Sequence, residues 1–269
     1  MNRARGFTLI EMIVVIVITG IIAAMVAVFL RKPVEGYFDT ARRAQLSDIA
    51  DTALRRMARD VRLALPNTLR VTDGDRTVEF LLTRTGARYR AQPRSDGTGD
   101  PLDISTLDTG FDILGPPITF QNGDRIAVYN LGPNIPGANA YVGDTLSAYT
   151  GPPGAQSHVS IAAKQFPLAS PASRFQVVEG PVSYACDLTS GTLWRYWGYA
   201  IQATQPNAAS LPSLAGVQAA RLATLVTGCS FRYLEGVTER SGVLELSLTL
   251  SDGGENVTLY HTVHVDNEP

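Results

Sequence analysis

Hydrophobic residues dominate the start of the chain. Between residues 12 and 30 almost every side chain is apolar, and only Thr19 and Gly20 interrupt the run. A helix of this length measures roughly 28 Å, which is enough to cross the hydrocarbon core of a bilayer. The pattern therefore predicts a membrane-spanning helix close to the N-terminus.

The following segment, residues 33–66, has an amphipathic helical pattern. Apolar residues recur at spacings of three and four, as expected for a helix with one buried face; they are Leu46, Ile49, Ala50, Ala53, Leu54, Met57, Val61, Ala64 and Leu65. The intervening face carries Arg42, Arg43, Asp48, Arg55, Arg56, Arg59, Asp60 and Arg62. We assign that face to solvent, and contact with a partner protein or with anionic lipid headgroups is the alternative. Asp51 and Arg55 are placed to form an i,i+4 pair, and Pro66 is expected to end the helix.

After Pro66 the pattern changes to short strands and turns. The predicted strands are residues 77–82, 125–129, 158–162, 174–179, 182–186, 193–200, 230–234, 243–250 and 256–265. The Gly-rich turn at residues 252–254 makes the last two strands a strong hairpin candidate. Residues 92–109 and 131–154 are expected to be irregular loops, and residues 204–214 a short loop or helix. This order predicts an α+β fold with a long N-terminal helix packed on a mostly antiparallel β-sheet.

A carboxylate at the start of the apolar run sets this segment apart from an ordinary anchor. The string GFTLIE occupies residues 6–11, after a short leader that contains Arg3 and Arg5. A plain transmembrane anchor explains the length but not Glu11, because a charge near the centre of such a helix costs about 2.5–3.5 kcal/mol on insertion scales. A secretory signal peptide has a shorter apolar region of about 7–15 residues, and the small-residue site at residues 24–27 lies too deep in the run.

The leader, the carboxylate and the apolar run together resemble the processing and anchoring segment of type IV prepilins. The resemblance implies that a prepilin peptidase cuts between Gly6 and Phe7, and that Phe7 becomes an N-methylated terminus. Glu11 would then be the fifth residue of the mature chain. A helix N-terminus favours negative charge, but a buried carboxylate still needs a cationic partner. The partner that the resemblance implies is the terminal amine of a neighbouring subunit.

Later strings narrow this resemblance to the MshO type of biogenesis proteins of the MSHA (mannose-sensitive haemagglutinin) pilus. They are LRRMARDVR at residues 54–62 with LPN at 65–67, VSYACD at 182–187 with LWRY at 193–196, GCSF at 228–231, and VHVDNEP at 263–269. The implied fold is the pilin fold. We divide the chain into a leader (residues 1–6), a transmembrane and filament-core helix (7–32), its amphipathic continuation (33–66) and a periplasmic β-rich domain (67–269).

The resemblance implies a minor pilin that waits in the inner membrane with its C-terminal domain in the periplasm. It would then enter a filament with other major and minor pilins through an inner-membrane assembly platform. Two alternatives stay open. One is a minor pseudopilin of a type II secretion system, and the other is a membrane-tethered periplasmic binding or adhesion domain that never polymerises.

Composition and candidate chemistry change this picture little. The chain of 269 residues has a net charge of −2, which leaves no basic footprint for nucleic acid. Its two cysteines, Cys186 and Cys229, both lie in strand-like segments. A disulfide is expected between them in an oxidising compartment, and two independent buried thiols are the alternative.

No catalytic function is expected, and no cofactor, because the sequence lacks a nucleophile elbow, a phosphate loop and a dinucleotide fingerprint. Asp96, Asp100 and Asp103 lie on a Gly-rich loop and form a weak calcium candidate, although a solvated loop is the favoured interpretation.

The aromatic residues Trp194, Tyr196 and Trp197 are expected to pack in the core or on a sheet face. The alternative for them is an exposed patch for carbohydrate or a partner subunit.

Overall fold

A computed structural model describes residues 6–235 and 242–269 of the protein. The helix and the strands described, in chain order, are α1 (Leu9–Arg62), β1 (Arg70–Thr72), β2 (Thr77–Tyr89), β3 (Asp108–Leu114), β4 (Ile118–Phe120), β5 (Arg125–Ala127), β6 (Leu146–Ala148), β7 (Gly154–Gln156), β8 (His158–Lys164), β9 (Arg174–Asp187), β10 (Thr192–Trp197), β11 (Gln218–Ala223), β12 (Val226–Leu234), β13 (Gly242–Asp252) and β14 (Glu255–Val265). Single turns of 3-10 helix occur at Ala140–Val142 and Leu211–Ser213.

The helix α1 is continuous over 54 residues and passes through both Gly20 and Pro33. It ends at Arg62, four residues before Pro66, which the sequence predicted as its end. The reason is strand pairing rather than the proline. The Leu65 N–H donates to the Leu81 carbonyl at 2.8 Å, and the Thr83 N–H donates to the Leu63 carbonyl at 2.8 Å, so the backbone beyond Arg62 joins β2.

The strands form a nine-stranded sheet, a three-stranded sheet and a two-stranded sheet among the described residues. The main order of the largest sheet is β11-β10-β9-β2-β3-β8, with β1, β5 and β6 attached to it, while β12-β13-β14 form the second sheet. All the pairings between described strands are antiparallel. The α+β architecture expected from the sequence is therefore confirmed, with β13 and β14 joined as the predicted hairpin.

The main hydrophobic core lies between the second half of α1, the sheet β12-β13-β14 and the strands β2, β9 and β10. From α1 it takes Leu46, Ala50, Ala53, Leu54, Met57, Ala58 and Val61, with Ile49 and Ala64 partly buried beside them. This is the apolar stripe that the spacing predicted. The helix is amphipathic here because one face of it completes the core of the domain.

The hairpin β13–β14 holds the second half of α1. Near the start of β14, Arg43 pairs with Glu255, and Arg42 lies against Gly253 in the turn. Near its end, Asn67 donates through its Nδ2 atom to the backbone carbonyl of Asn267 at 3.2 Å. The strand β14 therefore runs beside α1 in the same direction, from the membrane-side end of the domain to the distal end of the helix.

A second core lies outside the reach of α1, among the second half of β2, the first half of β9 and the strands β3, β5 and β8. It is rich in aromatic residues, which are Tyr89, Phe111, Phe120, Tyr149, Phe166 and Phe175. The sequence did not predict β3, which lies beside a glycine and lacks clear alternation. It also placed the strand β6 and the turn of helix at Ala140–Val142 inside an irregular loop. The strand β6 forms because β5 supplies its hydrogen-bond partners, whereas the turn of helix is capped by the Asn139 side chain.

Candidate functional site

The residues around the expected cleavage bond precede the helix. Gly6, Phe7 and Thr8 have no regular secondary structure, and α1 begins at Leu9. Phe7 is 75% exposed, and a Cβ atom added to Gly6 would meet no atom within 4 Å. The peptide bond between Gly6 and Phe7 is therefore accessible and not hydrogen-bonded into a helix. The leader residues Arg3 and Arg5 lie outside the described residues.

Glu11 forms a capping box with Thr8 at the start of α1. The Glu11 N–H donates to the Thr8 hydroxyl at 3.3 Å, and the Thr8 N–H donates to the Glu11 carboxylate at 3.4 Å. These bonds satisfy backbone donors that the first turn of a helix leaves unpaired. The carboxylate also lies at the positive end of the helix dipole. A Thr three residues before a Glu, ahead of an apolar run, is the sequence signal that indicates such a cap.

The first 21 residues of α1, Leu9–Phe29, have the composition and length of a membrane span. Their mean hydropathy is 3.0, and none of the span is buried against the rest of the protein. Large apolar side chains point outwards on every side of the helix. A helix that is apolar on all sides requires a lipid or protein environment. By length and composition this segment fits a membrane anchor.

The polar face of α1 is more varied than the sequence indicated. Arg55, Arg59 and Arg62 are exposed as predicted, and Arg55 makes the expected pair with Asp51 at 2.6 Å. Asp60, however, is only 6% exposed, so its assignment to solvent was wrong. Its carboxylate accepts hydrogen bonds from the Tyr184 hydroxyl at 2.7 Å and from Arg195 Nε at 2.8 Å.

Cys186 and Cys229 form a disulfide, as the sequence analysis expected. Cys186 lies at the end of β9 in the large sheet, whereas Cys229 lies in β12 of the three-stranded sheet. The bond therefore links the two sheets that enclose the main core, and it closes a loop of about 43 residues.

The aspartates of the Gly-rich loop are separately engaged. Asp96 accepts hydrogen bonds from Thr98, and Asp103 accepts them from Ser105, so each of the two closes its own turn. Asp100 instead lies 3.8 Å from Nε2 of His158. Within the described parts of the chain no group of three or more acidic, His or Cys side chains is arranged to hold a metal ion. The structure does not bring the three calcium candidates together.

The aromatic cluster of β10 divides between two faces of the strand. Trp197 packs beside the main core and lies under the guanidinium of Arg195, 4.8 Å from the ring centroid. Trp194 and Tyr196 face the other way and belong to a small cluster with Tyr199 and Leu211. Trp194 is half-buried and donates through Nε1 to the Thr192 hydroxyl at 2.8 Å.

Sequence reasoning missed a buried polar network centred on Glu79. This residue is completely buried in β2. Its carboxylate accepts hydrogen bonds from Arg70 Nε at 2.7 Å and from the Tyr199 hydroxyl at 3.0 Å. The Arg70 guanidinium lies 3.5 Å from the ring centroid of Tyr141, and its terminal nitrogens donate to backbone carbonyls of the 202–203 segment. The network fixes β1, β2 and two loops relative to one another.

Comparison with known protein families finds one match, at the N-terminus. Residues 1–27 match the prokaryotic N-terminal methylation motif. The matched segment includes the Gly6–Phe7 bond, Glu11 and most of the apolar span. No curated protein and no solved structure matches the chain. The N-terminal segment is therefore a methylation motif of the type IV pilin kind, joined to a membrane-anchoring helix.

Proposed function

We propose that this chain is a minor pilin that takes part in assembly of an MSHA-type type IV pilus. The observation that carries the proposal is the N-terminal methylation motif at the head of an exposed apolar helix, with Glu11 in its first turn. A pilin-type motif implies two kinds of partner, which are the peptidase that processes it and other pilins. The MSHA assignment rests on the later sequence strings described above.

Processing begins at an exposed, non-helical bond. Proteolytic cleavage requires an extended chain in the peptidase site, and residues 6–8 satisfy that requirement because helix formation starts only at Leu9. Cleavage between Gly6 and Phe7 removes the basic leader and creates a new amino group at Phe7, the proposed site of N-methylation. The span Leu9–Phe29 keeps the precursor in the inner membrane, with the domain that follows in the periplasm.

Glu11 then gives the mature subunit a charged group at the N-terminal end of an apolar helix. In the isolated chain this carboxylate is held by Thr8 at the helix cap. When the apolar helices of a filament pack together, water leaves and an uncompensated carboxylate becomes costly. The amine of Phe7 on a neighbouring subunit is a cation of the correct charge. Pairing of the two groups would select a defined offset between adjacent subunits.

The disulfide supports a periplasmic location for the domain. Disulfides persist in oxidising compartments and are rare in the bacterial cytoplasm. The domain also joins its helix tightly, because α1 contributes to the main core through residues such as Met57. A subunit built in this way moves as one unit when its apolar helix leaves the membrane for the filament.

The experiment compares two substitutions in the same capping box. Glu11→Ala removes the carboxylate, whereas Thr8→Ala removes the cap but keeps the charge. We expect both variants to be cleaved to an N-methyl-Phe7 terminus by mass analysis. In the filament fraction we expect Glu11→Ala to fall roughly tenfold or more, the effect of losing a buried ion pair, and Thr8→Ala to remain close to wild type.

Three results would contradict the proposal. Intact Met1 in cells with an active prepilin peptidase would indicate a tethered domain. Equal incorporation of Glu11→Ala and wild type would remove the role of the carboxylate. Loss of protein secretion rather than of surface pili, on deletion of the chain, would favour a type II secretion pseudopilin.

A further inference from the structure

A cleft of about 420 Å³ opens over the aromatic residues of β10, beside the disulfide. Its volume lies within the usual range for small-molecule sites, which is about 300–1,000 Å³. The cleft lies in the folded domain, far along the chain from the N-terminal processing segment.

The floor of the cleft is aromatic. Trp194 and Tyr196 both line it, because residues two apart on a strand point to the same face. Their ring centroids are 6.3 Å apart with an interplanar angle of 30°, so the two rings stack against each other. Tyr196 is only 7% exposed and Trp194 is half-buried, which fixes the orientation of both rings.

The walls of the cleft are held by hydrogen bonds. The Asp73 carboxylate accepts from the Thr77 hydroxyl and from the Ala208 N–H, both at 2.7 Å. These bonds join the β1–β2 turn to the segment around Ala208, which also lines the cleft. The disulfide at Cys186 fixes the end of β9, which is a further part of the lining. The cleft is therefore formed before any ligand binds, which reduces the entropic cost of binding.

The rim carries polar groups with spare hydrogen-bonding capacity. Arg76 uses its Nε atom to donate to the Asp73 carbonyl at 3.0 Å, and its two Nη groups make no hydrogen bond to the described residues. The Asp187 carboxylate accepts three bonds from its own turn, from Thr189 and Ser190. A carboxylate offers about four acceptor positions. Hydrogen bonding from Ser190 lowers the pKa of Asp187, so this acceptor is ionised at neutral pH.

These features select the chemistry of the ligand. One arginine and two aspartates border the cleft, so a phosphate, sulfate or carboxylate ligand would meet net negative charge. The aromatic floor favours a ligand with an apolar face that can lie on the indole of Trp194. The rim requires hydroxyl groups that donate to Asp187 and accept from Arg76. We propose that the cleft binds a neutral saccharide, with the C–H face of one pyranose ring on Trp194 and its hydroxyls at the rim.

The two tryptophans of the chain provide an internal comparison. The full-length protein, with ¹⁵N-labelled tryptophan, is kept in a zwitterionic detergent that contains no sugar. Cellotriose and tri-N-acetylchitotriose are titrated separately, to distinguish a plain glucan from an N-acetylated glycan of the cell-wall type. We expect at least one of them to shift the indole N–H signal of Trp194 saturably, with a millimolar dissociation constant, and to leave the signal of Trp197 unchanged.

Substitutions locate the site. Arg76→Met should weaken saccharide binding roughly tenfold, as loss of an anchoring arginine does at other binding sites. Tyr260→Leu removes a 79% exposed aromatic residue on the distant strand β14 and should leave affinity unchanged. The proposal is overturned if neither saccharide, at concentrations up to about 50 mM, shifts the Trp194 signal. The binding free energy would then be weaker than about −2 kcal/mol. The proposal is equally overturned if Arg76→Met binds like wild type, or if a proline-rich peptide shifts Trp194 where the saccharides do not.

Discussion

At the scale of single residues, two buried carboxylates are the least expected feature of this protein. Asp60 and Glu79 are both almost inaccessible to solvent, and each is held by an arginine and a tyrosine hydroxyl. Removing such a group from water is costly unless its hydrogen-bonding capacity is satisfied. The pairing of each carboxylate with a tyrosine hydroxyl and with arginine provides that compensation; Glu79 pairs with Arg70, and Asp60 pairs with Arg195 and, at 3.4 Å, with Arg56.

Glu79 should make the stability of the domain depend on pH. Burial raises the pKa of Glu79 above its ordinary 4.5, and Arg70 and Tyr199 offset part of that effect. The folded state therefore holds this proton more tightly than the unfolded chain. The contribution of Glu79 to the free energy of unfolding is greatest below pH 4.5 and falls as pH rises towards the folded-state value.

The measurement is urea unfolding of the detergent-solubilised chain between pH 4 and 7, for wild type and Glu79→Gln. The free energy of unfolding of the wild type minus that of the variant should decrease with rising pH, by about 1.4 kcal/mol for each unit by which folding shifts the pKa of Glu79. Glu245→Gln, on the exposed face of β13, is the control for the loss of a carboxylate that is not buried. If this difference for Glu79→Gln instead grows with pH, the charge of Arg70 lowers the pKa of Glu79 by more than burial raises it.

At the scale of secondary structure, the end of α1 is fastened to the large sheet by polar contacts as well as by the core. Asp60 comes from the last turn of the helix, Tyr184 from β9 and Arg195 from β10. Burial and the neighbouring Asp60 raise the pKa of Tyr184, so its hydroxyl remains a donor over the physiological range. The three groups fix the C-terminal end of the helix against the large sheet.

Arg195→Met should destabilise the domain by about 3 kcal/mol, because it leaves the buried Asp60 with only the exposed Arg56, 3.4 Å away, as a cationic partner. Arg55→Met removes one partner of an exposed pair with Asp51 and should cost no more than about 0.5 kcal/mol. Urea unfolding followed by tryptophan fluorescence measures both. Equal effects of the two substitutions would mean that the buried pair contributes no more than a surface pair.

At the scale of the whole molecule, one helix serves two environments. Its first part, Leu9–Phe29, is exposed and apolar, and its second part belongs to the core of the domain. The amphipathic part of α1, residues 33–66, packs on the β-rich domain, as the sequence predicted. We propose that the unit that folds by itself includes the helix from about the level of Arg42 and Arg43, where the β13–β14 turn contacts it.

Two deletions test this division of the chain. Without residues 1–32 the domain keeps its core and should fold as a water-soluble protein that partitions into the aqueous phase of a detergent extraction. Without residues 1–66 it loses Leu46, Met57 and the rest of the helical stripe, and it should aggregate, because several buried side chains each contribute about 2–5 kcal/mol. The intact chain should enter the detergent phase. A soluble, cooperatively unfolding fragment from the second deletion would contradict the assignment of the helix to the core.

The amino-acid sequence by itself determined the features that depend on neighbours along the chain. The apolar run, the buried stripe of α1, the Asp51–Arg55 pair and the β13–β14 hairpin each arise from a spacing of two, three or four residues, and each was predicted correctly. Tertiary structure decided the burial of Asp60 and Glu79, the end of α1 at Arg62, the strand β3 and the cleft over Trp194. Each of those depends on groups more than a hundred residues away or on a neighbouring strand, because burial and strand pairing are set by contacts in space. A periodic pattern shows which face of an element is apolar, but it does not show which polar residue on the other face another part of the chain will cover.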